Sequence, residues 1–205
     1  MSKFTSNDDT KRAFNYYQPQ LVLDTEIRKF KIIQGNRINL ELLLNEDDHK
    51  NLLVMCQENY KSGHIQSFFR ESVVDMDLVK FYVDSYLEDN QLNYPNATVL
   101  EGINYLIKLK TGQIIGILQL YSDAEGLAFG LFIDKKHSGQ NYGTEAVQTA
   151  IKFVKKHTQA QMLVWGCDIN NVGSATVAKK CGFVHVGDVN DEDNHVQSVF
   201  YLSLF

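Results

Sequence analysis

The segment Phe129–Thr144, reading FGLFIDKKHSGQNYGT, forces a strand, a tight turn and a helix to follow one another. Phe129, Leu131, Phe132 and Ile133 make an apolar strand. It passes through the polar turn Asp134–His137 into Ser138-Gly139-Gln140-Asn141-Tyr142-Gly143, and a helix opens at Thr144-Glu145. Glycines at such a boundary free the backbone to take positive φ and let a ligand approach the main chain. The first amides of the new helix have no partner inside it, and with the helix dipole they make an anion site suited to a pyrophosphate. The bland alternative is an ordinary glycine-bearing strand-to-helix turn.

A second segment bears on that choice. Residues 162–183, MLVWGCDINNVGSATVAKKCGF, read as a strand, then Asn170-Asn171, a short helix and Gly182-Phe183. With both segments in order, and Asn171 following Gly143 by 28 residues, the chain resembles the GNAT-superfamily N-acetyltransferases. It is most similar to the branch of ribosomal-protein N-terminal acetyltransferases and related polyamine acetyltransferases. The likeness runs from Arg37 to the C-terminus. It rests on the loop from Ser138 to Ala146, on Asn171-Val172-Gly173-Ser174, and on Val177 to Phe183. The resemblance implies an α/β fold: a mixed central sheet of about seven strands, splayed where acyl-CoA binds, with helices on both faces. Residues 37–205 would form that domain and residues 1–36 an N-terminal extension.

The composition agrees with one such domain. A chain of 205 residues, 44% hydrophobic and 22% charged, can bury one substantial core. The net charge is −5 and there is no dense Lys/Arg block, which argues against a nucleic-acid partner. Cys56, Cys167 and Cys181 are sparse and in no CxxC arrangement, so neither a disulfide framework nor a metal site is expected, and a reducing, cytoplasmic setting is. The polar N-terminus shows no signal peptide, and no apolar run is long enough to span a bilayer. Aromatic residues Phe4, Phe14, Tyr16 and Tyr17 suggest that the extension packs on the domain or on a partner chain, which leaves a homodimer open.

Periodicity places the remaining elements. Arg37–Leu44 reads as a first strand. Asn45–Asp48 caps a helix with Leu52, Leu53, Cys56 and Tyr60 on one face, and Asp75 opens a second helix. Ile103–Lys110, Gln113–Tyr121 and Leu127–Ile133 read as strands, with Thr111-Gly112 turning a hairpin. Val147, Ala150, Ile151 and Val154 mark the helix after the glycine turn. Met162–Gly166, Val184–Gly187 and Val196–Leu204 are strands, and Val172–Lys180 is a helix stopped at Gly182.

Acetyl transfer from a thioester to an amine asks for a neutral amine, a polarised carbonyl and a proton for the leaving thiolate. By the resemblance, Ser138, Gly139, Gln140, Asn141, Tyr142, Gly143 and Thr144 hold the pyrophosphate of acetyl-CoA, the co-substrate. The main chain of Phe132 and Ile133 pairs with the pantetheine arm, beside a bulge that splays the strands. On this reading Gly143 is bare to admit the pyrophosphate. Asn171 contacts the cofactor near the reacting end, or caps its helix, or both. Ser174 matches the serine proposed to protonate the thiolate; the alternative for it is a routine polar residue. Asp193, with Asp191 and Glu192 beside it, lies nearest the family's acidic base, and His195 is the other candidate. Lys135–His137 reads as a solvated turn. Ala178 stands where many relatives carry a tyrosine acid. Ser138 replaces the loop's usual arginine or glutamine, and Asn141 replaces a glycine; asparagine tolerates the left-handed conformation that position needs.

Three functions compete. The first is an acetyl-CoA-dependent N-acetyltransferase acting on a protein N-terminus, a polyamine or another small amine. The second is a non-catalytic acyl-CoA-binding module with a degenerate site, favoured by Ser138 and Asn141. A dinucleotide oxidoreductase is the poorest, because Gly139–Gly143 is not GxGxxG.

Overall fold

The structure, a computed structural model, describes residues 23–24, 27, 29–65, 75–91, 99–100, 102–123, 126–190 and 195–205. Strands are β1 (Leu23–Asp24), β2 (Ile32–Gln34), β3 (Ile38–Leu42), β4 (Val99–Leu100), β5 (Gly102–Leu109), β6 (Ile114–Asp123), β7 (Gly126–Ile133), β8 (Met162–Asp168), β9 (Val184–Asn190) and β10 (Val196–Ser203). Helices are α1 (Glu46–Lys61), α2 (Met76–Gln91), α3 (Tyr142–His157) and α4 (Val172–Lys180).

Eight strands form one sheet in the order β2-β3-β5-β6-β7-β8-β10-β9, and β1 pairs with β4 apart from it. The described sheet therefore has one strand more than the sequence pattern suggests. The added strand is β2, which precedes Arg37 and pairs antiparallel with β3 through Ile33↔Leu40. Ile27 is buried in the main core, and Phe30 packs edge-on against Phe153 of α3 at 5.1 Å. Apolar residues ahead of Arg37 thus finish one edge of the sheet.

Local chemistry sets the helix ends. Asn45 accepts the Asp48 amide at 2.8 Å, with Glu46, Asp47 and Asp48 in the positive first turn of α1. Asp75 accepts the Leu78 amide at 2.8 Å and opens α2. Gly112 turns the β5–β6 hairpin at φ 89°, and Gly182 follows α4 at φ 91°.

The sheet separates two cores. On one face α1 and α2 set Leu52, Cys56, Val79 and Val83 against Leu106, Ile117 and Phe132. On the other, α3 and α4 set Val147, Ala150, Val154 and Ala178 against Leu40, Ile107, Leu118 and Trp165. Alternation along each strand sends neighbours to opposite cores, so Phe132 and Phe129 serve different ones. The buried Asn90 amide crosses the first interface, donating to the Leu43 and Asn104 carbonyls and accepting the Asn104 amide. No described helix is long and apolar enough to cross a membrane.

The β6–β7 ladder runs from Gly116↔Ile133 to Asp123↔Gly126 without a register shift. The bulge that the resemblance implies at Phe132-Ile133 is thus missing from this ladder. The irregularity falls one strand away, between Ile107 and Lys108 in the β5–β6 pairing. At Gly116 the strands come so close that an added Cβ would lie 2.2 Å from the Phe132 carbonyl oxygen. Gly116→Ala should therefore push β6 off β7 and cost about 1–3 kcal/mol, the usual range for overpacking. Urea unfolding at neutral pH measures it; a variant as stable as the parent would contradict this packing.

Candidate active site

Strands β7 and β8 lie side by side and parallel, yet they pair at only two positions, Leu127↔Leu163 and Ala128↔Val164. Beyond these, each strand stays with its other neighbour, β7 with β6 and β8 with β10. Phe129 and Trp165 are the first residues past the pairing, and their rings meet at 6.3 Å. From this vertex a slot opens between Phe129–Ile133 and Trp165–Asp168.

The register decides which backbone groups line the slot. The Asp134 amide donates to the Ile115 carbonyl at 2.9 Å, which makes Ile133↔Gly116 a pair without mutual hydrogen bonds. The N–H and C=O of Ile133, and by alternation of Leu131 and Phe129, face away from β6 toward β8. Those of Phe132 are spent on β6. Of the two residues named from sequence for the pantetheine, only Ile133 offers its polar groups to the slot. Its carbonyl lies 3.1 Å from His64 Nε2.

At the end of β7 the chain makes a 3-10 turn over Lys135–His137 and then enters α3. Gly139 has φ 75° and Asn141 φ 63°, the left-handed conformation expected of an asparagine in a glycine position. The Asn141 side chain does not cap α3; its Oδ1 accepts from Lys180 Nζ at 2.7 Å. Among the described residues, the amides of Gly139, Gln140, Asn141, Tyr142, Gly143 and Thr144 donate to no other backbone group. Six free amides in succession at a helix N-terminus form a concave donor array for an anion.

Gly143 is bare for a different reason from the one read in sequence. A Cβ there would meet Leu131 Cδ2 at 3.1 Å and Ile133 Cγ1 at 3.4 Å, so it faces the core. Its glycine lets α3 lie against β7. A Cβ on Gly139 meets nothing within 4 Å, and this is the glycine open to a ligand.

Two polar clusters hold the turn, and neither is visible in sequence. Asp134, 6% exposed, accepts from Asn59 Nδ2 at 2.8 Å and from His137 Nδ1 at 2.9 Å. Asn59 of α1 also donates to Met55 O and accepts the Lys135 amide at 2.9 Å. Burial raises the Asp134 pKa, but the bonds from Asn59, His137 and the Lys136 amide outweigh it and hold the group below its ordinary value. On the other side Glu145 accepts the Arg37 amide at 2.6 Å and Arg37 Nε at 2.7 Å. Arg37 in turn donates to Gln140 O at 3.2 Å and lies over the Tyr142 ring at 4.5 Å. Burial raises the Glu145 pKa and the Arg37 bonds lower it further, so this carboxylate also sits below its ordinary value. Asn59 and Asp134 are 75 residues apart, and no local signal joins them.

Ser138 Oγ donates to Asp134 O at 3.2 Å and lies 3.2 Å from His64 Nε2. A histidine from the end of α1 thus stands beside the position where relatives carry arginine or glutamine. Lys136 pairs with Glu58 at the surface, and Gln140 Nε2 donates to Lys136 O at 3.2 Å.

Asn171 Oδ1 accepts the Ser174 amide at 3.0 Å, so its side-chain oxygen caps α4. Ser174 Oγ accepts the Trp165 indole N–H at 2.9 Å. Ala178 is fully buried, with no room for a tyrosine in this packing. Asp193, with Asp191 and Glu192, lies outside the described residues. Asp188 is described at the exposed edge strand β9. It accepts from Ser198 Oγ at 2.7 Å and pairs with His185 Nε2 at 2.9 Å. A cleft of about 570 Å3 runs along α3 between Gly35–Arg37 and Gln148, Lys152 and Lys156, and reaches the turn at Asn141, Thr144 and Glu145.

The slot can take an extended chain with amide groups, by adding it to two free strand edges. The amide array at its end can take a diphosphate. A thioester between them would lie near the vertex and Ser174.

The acetyltransferase (GNAT) domain profile matches residues 37–184. No curated protein matches the chain in sequence. Solved structures share its fold. The ribosomal alpha-N-protein acetyltransferase RimL, in complex with coenzyme A, is 17% identical with a TM-score of 0.67, over 84% of this chain and 97% of that one. The microcin self-immunity acetyltransferase MccE, with acetyl-CoA and AMP, is 18% identical with a TM-score of 0.66, over 82% and 93%. A spermidine N-acetyltransferase chimera involving Vibrio cholerae is 13% identical with a TM-score of 0.60, over 82% and 96%.

The Asp134 cluster gives a pH dependence with a definite sign. The native pKa lies below the unfolded one, so the contribution is complete above the ordinary carboxylate range. It is lost as the pH falls through the native value. Asp134→Asn should flatten the acid limb of the stability profile and cost about 1–3 kcal/mol at pH 7. Urea midpoints between pH 7 and pH 3 test this; an unchanged acid limb in the variant would count against the cluster.

Proposed function

The chain belongs to the GNAT acetyltransferase family, and from that premise we propose that it transfers an acetyl group from acetyl-CoA to a primary amine. The observation that carries this reading is the slot between β7 and β8 ending in the free amides of Gly139–Thr144. The diphosphate binds those amides and the N-terminal dipole of α3. The pantetheine amides pair with the slot-facing groups of β7, with the Ile133 N–H among them. The acceptor is a protein N-terminus, a polyamine or another small amine.

In the reaction a neutral amine attacks the thioester carbonyl, the C–S bond breaks, and the amine nitrogen loses a proton as sulfur gains one. Holding the two reactants in line supplies much of the acceleration. On this reading Ser174 donates the proton to sulfur, and Asn171, which accepts the Ser174 amide, supports it. Asp193, between β9 and β10 in sequence, is the candidate for taking the proton from the amine. The acceptor enters from the side of α1 and α2. Three free cysteines suit a reducing compartment, and we place the protein in the cytoplasm.

The test separates binding from turnover. Calorimetry should show CoA binding to the parent protein. Gly139→Asp keeps a residue that tolerates φ 75° but puts a carboxylate into the anion site. It should weaken CoA binding about tenfold, whereas Gly139→Asn, alike in shape, should cost less. Equal effects would remove the phosphate from this turn. Thiol release from acetyl-CoA is then measured against panels of peptides, polyamines and aminoglycosides. CoA binding with no thiol release against any panel would favour a non-catalytic binding module.

A further inference from the structure

The sole tryptophan of the chain sits where the slot begins. Trp165 is the first residue of β8 past its pairing with β7, 2% exposed, with its ring against Phe129 at 6.3 Å and Phe183 at 5.7 Å. A buried indole N–H takes a hydrogen-bond partner, and here the partner is the Ser174 hydroxyl oxygen at 2.9 Å. Ser174 is held a second time, through its amide, by Asn171 Oδ1 at 3.0 Å. An indole only donates, so Ser174 Oγ must act as the acceptor in this pair and keep its own hydrogen for another group. Among the described residues no side-chain or backbone acceptor for that hydrogen is present.

We propose that Trp165 is a positioning residue for acetyl transfer, its indole N–H fixing the Ser174 hydroxyl so that the O–H donates into the slot. The proposal rests on the reading of Ser174 given above. As the C–S bond breaks, the Ser174 O–H bond breaks and its proton goes to sulfur. The indole N–H, already directed at Oγ, stabilises the negative charge left on that oxygen. Solvent, which receives the amine's proton by way of the base, returns one to Oγ, so serine ends as it began. The aromatic packing of Phe129 and Phe183 keeps the indole from turning away. The site thereby works without the tyrosine whose position Ala178 fills.

Trp165→Phe keeps a ring in the packing and removes the donor. It should lower kcat about three- to tenfold, the worth of one neutral hydrogen bond, and leave KM for acetyl-CoA within about twofold. In a Ser174→Ala background the same substitution should have no further effect on kcat. A spectroscopic readout needs no turnover. With one tryptophan, the protein gives a single indole N–H resonance, which should move on adding CoA and move again in Ser174→Ala. Wild-type kcat in Trp165→Phe would overturn the proposal. So would an undiminished loss in the Ser174→Ala background, or an indole resonance indifferent to Ser174→Ala. Failure of the underlying reading looks different: calorimetry then shows no CoA binding to the parent, and acetyl transfer and this proposal fall together.

Discussion

Everything at the site depends on how little β7 and β8 hold each other. Each strand is saturated on its far side, β7 by eight partners in β6 and β8 by seven in β10. Sheet twist carries those two half-sheets apart once the pair at Ala128 and Val164 is passed. The rings of Phe129 and Trp165 pack together at the vertex. What remains is two free strand edges inside an otherwise continuous sheet. An edge of this kind invites an extended ligand, because its N–H and C=O groups are not spent on a neighbouring strand.

An open slot is useful only if the turn at its end stays in place, and polar contacts, buried at Asp134 and exposed at Arg37, supply that. Asn59 reaches across from α1 and uses both its donor and its acceptor on the turn. Arg37 and Glu145 tie the first turn of α3 to the start of β3. The two clusters use side chains, leaving the amides from Gly139 onward unspent. The buried bonds at Asp134 contribute modestly when satisfied and cost more when broken, which suits a rigid anion site.

Much of the architecture was legible in local pattern. Val147, Ala150 and Val154 recur at helical spacing and are buried on α3, and Asn45, Asp75 and Asn171 cap the helices that follow them. Asn141 stands in a left-handed turn that its side chain tolerates. Capping, periodicity and turn chemistry act over a few residues, and for that reason they survive in a one-dimensional reading. The strand β2 escaped it because Ile32–Gln34 is short and sits among polar residues; only its neighbour β3 gives it a sheet to join.

The sequence by itself determined the element order, the strand–turn–helix with its free amides, and the pair of segments that mark the family. Only the tertiary structure decided which groups face the slot. Register on β6 turned the Phe132 backbone away and the Ile133 backbone in, and close packing on Leu131 gave Gly143 its purpose. Partners such as Asn59 and Asp134, or Arg37 and Glu145, are 75 and 108 residues apart. Contacts between such distant residues carry no local periodicity, and they exist only once the chain has closed on itself.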